Sequence, residues 1–147
     1  KLPLKAYDDL STFKLYALDV GLLRQLSELD ASVLLLSTPG YMEYKGALAE
    51  NYVLQSLTAQ FQASFRYWTS GNKAEVDFLL QYDNHIYPIE VKADQNVTGK
   101  SLIQYEKLFQ PVYRIRYSML NLKQDGNLIN IPLFLADKTK ELLKDKS

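Results

Sequence analysis

Asp77, Glu90 and Lys92 are the residue types that hold a divalent cation beside a phosphate, and their spacing lets one hairpin bring them together. They lie in Glu75-Val76-Asp77-Phe78-Leu79-Leu80 and, ten residues on, Glu90-Val91-Lys92. Between these segments stands Tyr82-Asp83-Asn84-His85, where Asp83 and Asn84 both tolerate positive φ and predict a two-residue turn. That turn sets a register: Tyr82 opposite His85, Leu80 opposite Tyr87, Phe78 opposite Ile89 and Asp77 opposite Glu90. Side chains alternate along a strand, so Glu75 is expected to face Lys92 on the same side. Val76, Phe78, Leu80, Ile89 and Val91 then form the apolar face.

Directly opposed residues stand about 5 Å apart at Cβ. Two carboxylates at that distance repel by about 3 kcal/mol at an effective dielectric near 20. A cation between them removes the cost, and carboxylate oxygens with water suit Mg2+ or Mn2+. A metal so held can activate water for phosphodiester hydrolysis, while Lys92 orients the water or stabilises developing charge. On this reading Asp77, Glu90 and Lys92 are catalytic. The plain alternative is a cross-strand salt bridge between Glu75 and Lys92, with Asp77 and Glu90 solvated. Spacing alone leaves both open, and a one-residue slip would carry Asp77 to the other face.

The elements that must position these residues can be read along the chain. Phe13 to Leu18 alternates and predicts a strand; Asp19 is placed to cap a helix from about Val20 to Leu29. Ser37-Thr38-Pro39-Gly40 signals a loop. A helix is expected over Tyr44 to Phe61, with Leu54, Leu57 and Phe61 on one stripe. Glu50 shares that stripe, and a carboxylate on a core-facing side requires a partner; it is the third candidate metal ligand with Asp77 and Glu90. Strands are expected at Ser64 to Thr69, Glu75 to Tyr82 and His85 to Ala93, the first two joined by a turn at Ser70 to Lys73. A helix over Thr98 to Phe109 and a strand over Val112 to Tyr117 follow. Asp125-Gly126 predicts a turn, Leu128 to Ile131 a strand, and Pro132 the first turn of a last helix. The last six residues are expected to fray.

At 147 residues the chain is read as one domain, with a core over about 41–136 and an N-terminal strand and helix extension over 1–40. Apolar residues at 47% and charged residues at 23% fit a globular protein, and no apolar run is long enough to span a bilayer. The absence of cysteine excludes disulfides and thiolate zinc sites. The chain opens at Lys1 without methionine, which points to a fragment of something longer.

Several other motifs carry little. Gly99-Lys100-Ser101 has the place of a phosphate loop, but Asp94 stands where that pattern needs glycine; Thr98 or Ser101 reads better as a helix cap. His85, the one histidine, belongs to a surface turn, and no nucleophile elbow accompanies it. Tyr67-Trp68 could stack on bases but reads better as core. Zero net charge gives no global attraction to nucleic acid, and acids are interspersed with the basic residues between Ser64 and Tyr117. Arg114 and Arg116 share one strand face as a local basic patch.

With Glu50 on a helix, Asp77 on a strand and Glu90-Val91-Lys92 on the next, the chain resembles the PD-(D/E)XK nuclease superfamily, whose core order is αβββαβ. Lys14 to Leu23, Gly46-Ala47-Leu48-Ala49-Glu50-Asn51, Tyr67-Trp68, Glu75-Val76-Asp77-Phe78 and Pro88 to Lys92 resemble a domain of unknown function. That domain lies C-terminal to the AAA-type ATPase domain of many bacterial and archaeal ATP-binding proteins. The resemblance runs from about residue 10 to 137. It implies an α/β, restriction-endonuclease-like fold with a mixed sheet flanked by helices, and a cytoplasmic protein whose ATPase domain is a partner in the same chain. It also implies Glu50, Asp77 and Glu90 as Mg2+ or Mn2+ ligands with Lys92 assisting, a nucleic-acid substrate, and no ATP site in this segment. Some relatives carry glutamine and tyrosine four residues apart on the next helix; Gln104 is here followed by Leu108, so that subtype is not supported. Because tyrosine is enriched at interfaces and eleven are present, the alternative is an inactive nuclease-fold module for protein binding or self-association.

Overall fold

The computed structural model describes residues 2–27, 39–71, 74–94 and 99–144. Its centre is a six-stranded mixed sheet in the order β1-β2-β3-β4-β6-β5. The strands are β1 (Arg66–Thr69), β2 (Glu75–Tyr82), β3 (His85–Val91), β4 (Arg114–Ser118), β5 (Lys123–Asp125) and β6 (Leu128–Pro132). β1, β2 and β3 pair antiparallel, β3–β4 and β4–β6 are parallel, and β5 returns antiparallel on β6. The helices are α1 (Val20–Leu26), α2 (Pro39–Phe61), α3 (Lys100–Phe109) and α4 (Thr139–Lys144). The class is therefore α/β, and helix, three strands, helix, strand is the order read from the sequence. No helix among the described residues is long and apolar enough to cross a membrane.

Two apolar clusters divide the sheet into faces. Val53 and Leu57 of α2 pack with Phe78, Leu80, Tyr87, Ile89, Ile115, Tyr117, Ile129 and Ile131. Leu102 and Tyr105 of α3 pack with Val76, Leu79 and Leu4 on the opposite face. Trp68 joins the second cluster edge-on to Tyr105 and Phe109, so the core reading of this tryptophan holds.

The turn is as the sequence predicts. Asp83 and Asn84 have φ of 47° and 59°, and Tyr82↔His85, Leu80↔Tyr87 and Phe78↔Ile89 are all paired. Asp19 caps α1 through the Leu22 N–H at 3.0 Å. A Cβ at Gly21 would stand 2.8 Å from the capping oxygen, so a larger residue there would push the Asp19 side chain out of its cap.

Other expectations change. No strand forms over Phe13 to Leu18. That segment finds no strand partner and is held instead by side chains of α2, with Ala17 N–H donating to Asn51 Oδ1 at 2.9 Å. α2 begins at Pro39, so Pro39 and Gly40 are helical rather than loop; Ser37 and Thr38 lie outside the described residues. α1 ends at Leu26, and the expected continuation beyond Ser27 lies outside them too. So do Asn72 and Lys73 of the first turn, and Thr98. Gly99, in the left-handed conformation, occupies the N-cap of α3 without a side-chain bond, so Ser101 does not cap. β5 went unread because its three side chains are all exposed and polar. Pro132 precedes a 3-10 turn (Leu133–Lys138) rather than starting an α-helix. Of the six residues expected to fray, 142–144 belong to α4, with Leu143 buried, and 145–147 lie outside the described residues; Gln60 at the end of α2 accepts the Lys140 N–H and Nζ.

Candidate functional site

The site begins with an irregularity in β2. Between Arg66↔Leu79 and Trp68↔Val76, β1 advances two residues and β2 three, so β2 carries one extra residue between Val76 and Leu79. An extra residue reverses the alternation of side chains. Val76 therefore packs toward α3 although Phe78 packs toward α2, against the single apolar face the sequence predicts. The expected pairing of Asp77 with Glu90 is also lost, because the β2–β3 ladder ends at Phe78↔Ile89. Instead Asp77 Oδ2 accepts the Val91 N–H at 2.7 Å, a donor that a continued ladder would give to the β2 backbone.

Asp77 is half-buried at this fork. Burial pushes its carboxyl up to about 7, opposed by the Val91 hydrogen bond; Glu50 raises it further, while Lys14 and Lys92 lower it. A carboxyl whose titration is moved into the neutral range by its surroundings marks a functional-site candidate.

Glu50 finds the partner that its place on the α2 stripe demands. The Tyr16 hydroxyl donates to Glu50 Oε1, and Lys14 Nζ lies 3.4 Å from the same oxygen. Both belong to the arm preceding α1. The arm is latched to α2 by Ala17 on Asn51, by Val20 N–H on Gln55 Oε1 and by Gln55 on Asp19. Lys14 also forms an ion pair with Glu75, so the expected Glu75–Lys92 contact does not form. Burial alone would lower the Lys14 ammonium, yet the Glu75 hydrogen bond and the charges of Glu50, Glu75 and Asp77 leave it raised. Tyr16 is raised by burial and by the carboxylate it serves.

Glu90 and Lys92 form a second group. Tyr87, Ile89 and Val91 pack toward α2 and Ile86 toward α3, so alternation directs Glu90 and Lys92 toward the α3 side. Lys92 Nζ lies 3.1 Å from Glu90 Oε1, and Lys92 N–H donates to the Tyr117 carbonyl, placing it beside β4. Glu90 is 2% exposed, and its Oε2 is buried without a hydrogen-bond partner. Lys92 still acts on Asp77 electrostatically, so Asp77 stands between the two groups.

The four residues therefore meet at one end of the sheet, but not on one face. Among the described residues, no three of His, Cys, Asp and Glu gather closely enough to hold a metal ion. The donors nevertheless suit a hard cation on two counts. Lys14 already stands as a positive charge between Glu50 and Glu75, and Glu90 keeps a buried oxygen unpaired. A groove of about 980 Å³ opens beside Asp77, lined in part by Phe13, Lys14, Tyr16, Tyr67 and Phe78. On the sequence alone Lys14 and Tyr16 have no role in the site, although Lys14 to Leu23 is one of the segments that carry the resemblance.

The basic patch is not free. Arg114 pairs with Glu106 at 3.0 Å and bonds Asn127, and Arg116 bonds Asn130. His85 is exposed with its Nδ1 2.7 Å from the Asp83 carbonyl, as a turn residue should be.

The model of a domain of unknown function, DUF4143, matches residues 45–134, and the chain belongs to that family. The match takes in Glu50, Asp77, Glu90 and Lys92 and leaves Lys14 and Tyr16 outside its bounds. Neither the curated proteins nor the solved structures compared with the chain include a match.

Proposed function

We propose that the domain hydrolyses phosphodiester bonds with a divalent cation, Mg2+ or Mn2+, in the manner of a PD-(D/E)XK nuclease, in the service of an attached ATPase domain. The observation that carries this reading is Asp77: a half-buried carboxyl at a strand irregularity, pushed up to about 7 and flanked by Glu50, Lys14 and Lys92. Glu50, Asp77 and the unpaired oxygen of Glu90 are the groups to hold the cation. When bound, such a cation activates water and neutralises charge on the phosphate. The chain's own groups supply the rest. The Val91 N–H fixes the Asp77 carboxylate, Glu90 positions the Lys92 ammonium, and Lys92 can stabilise an oxyanion as charge develops. The groove beside Asp77, which Tyr67 helps to line, supports this reading as a path for a nucleic-acid strand.

Labelled single-stranded and duplex DNA and RNA, incubated with Mn2+ or Mg2+, are expected to be cut by the ATPase-containing protein and spared in EDTA. Asp77→Ala and Lys92→Ala should each lower the rate by about 100-fold or more, the scale of losing one preorganised electrostatic group. Equal rates in wild type and variants would refute the catalytic assignment.

A second reading rests on the arm and α1, where Leu10, Phe13, Leu15, Leu18 and Leu26 are each at least 70% exposed. An inactive fold used for self-association would cover that surface. Light scattering that shows a concentration-dependent dimer, abolished by Leu15→Glu and Leu18→Glu, would favour it.

A further inference from the structure

Lys14 is the least expected member of the acidic cluster. It is carried by a segment without secondary structure, yet its ammonium lies between Glu50 and Glu75 and within electrostatic reach of Asp77. The arm that delivers it is held at several points along α2 by Glu50, Asn51 and Gln55. Tyr67 adds an aromatic face 5.3 Å from the same ammonium. Position, charge and support are those of a bound cation, supplied by the chain itself.

We propose that Lys14 is a tethered counter-ion that occupies the cation position at Glu50, between that carboxylate and Glu75, so that a divalent cation drawn to Glu50 must displace it to bind. The inference rests on the metal-dependent reading above and extends it. Glu50 and Glu75 carry like charge on either side of that ammonium, which offsets their repulsion. The same ammonium opposes an incoming divalent ion, by occupying its place and by like charge. Its retreat would free Glu50 of one partner and leave the Tyr16 hydroxyl to orient that carboxylate.

The test is Mn2+ titration by calorimetry, with thermal melts in EDTA and in Mn2+, on wild type, Lys14→Met, Lys14→Gln and Lys14→Arg. Loss of the charge in Lys14→Met or the milder Lys14→Gln should tighten Mn2+ binding at least about fivefold, while Lys14→Arg stays within about twofold of wild type. In EDTA the two neutral variants should melt below wild type and recover more on adding Mn2+. Equal Mn2+ affinity in wild type and both neutral variants would overturn the role of Lys14 and leave the metal-dependent reading standing. If no variant binds Mn2+, the metal-dependent reading falls and the displacement falls with it. Should Lys14→Met fail to fold, Lys14→Gln against Lys14→Arg decides the matter alone, and equal effects of those two would also overturn the proposal.

Discussion

Replacing Asp77 by asparagine should make the protein more stable at neutral pH, an unusual result for a hydrogen-bonded carboxylate. Burial pushes its carboxyl from 3.8 to about 7, so the folded chain holds this proton more tightly than the unfolded chain. Unfolding therefore releases a proton between those values, and stability falls as pH rises through the window. At 1.36 kcal/mol per pH unit, the full difference sets an upper bound of about 4 kcal/mol, and relaxation around the ionised group brings a realistic figure to about 2 kcal/mol. Asparagine cannot ionise, and its Oδ1 can still accept the Val91 N–H seen on Oδ2. The advantage of Asp77→Asn over wild type should thus grow from near nothing at pH 4 to its full size by pH 8. For a chain of this length that corresponds to about 4–8 °C in Tm. Melting curves followed by circular dichroism in EDTA, at each pH from 4 to 8, measure it directly. A difference that stays constant with pH, or a variant that loses ground as pH rises, would refute the account of Asp77 as a half-buried carboxyl whose charge is poorly compensated.

Further predictions concern the frame. Leu143→Ala should cost about 2–5 kcal/mol in urea denaturation because it empties a buried position against the sheet; a frayed terminus would lose almost nothing. Asn84→Val, a β-branched residue at φ 59°, should cost about 1–2 kcal/mol, whereas Asn84→Gly should be neutral or slightly stabilising. Tyr16→Phe should weaken the hold of the arm on Glu50 by about 1.5–3 kcal/mol, read as faster proteolysis between Leu10 and Leu18.

The helices and the paired strands of the core were legible because each carries its own signal. Asp83-Asn84 demands a turn of one type, and Leu57 and Phe78 lie on stripes that only one packing buries. β5 carried no such signal. The arm over Phe13 to Leu18 was misread because its alternation mimics a strand, while its true partners are Glu50 and Asn51, more than thirty residues away. The site residues Glu50, Asp77, Glu90 and Lys92 were found by type and spacing. Their mutual geometry was not, because the register inferred from the turn assumes an uninterrupted strand and β2 contains an extra residue. Nothing in Val76-Asp77-Phe78 announces that irregularity: all three residues read equally well in a regular strand.

The seam between β3 and β4 has a consequence for how the molecule assembles. β1 to β3 form one antiparallel unit; in the other, β4 pairs parallel with β6 and β5 returns antiparallel on β6, and each unit is continuous in sequence. The two units join through Ile89↔Ile115, Glu90↔Arg116 and Val91↔Tyr117, with α3 lying between them in the chain. Each half can form from near neighbours, but the seam needs a long loop to close first, so docking is the slow, cooperative event. Glu90 lies on that seam, and the Lys92 N–H is tied across it to Tyr117. Until the halves dock, Glu90 has no burial and Lys92 no fixed place. The acidic end of the sheet is thus completed only in the fully joined molecule, and amide exchange at Lys92 should report the same free energy as global unfolding.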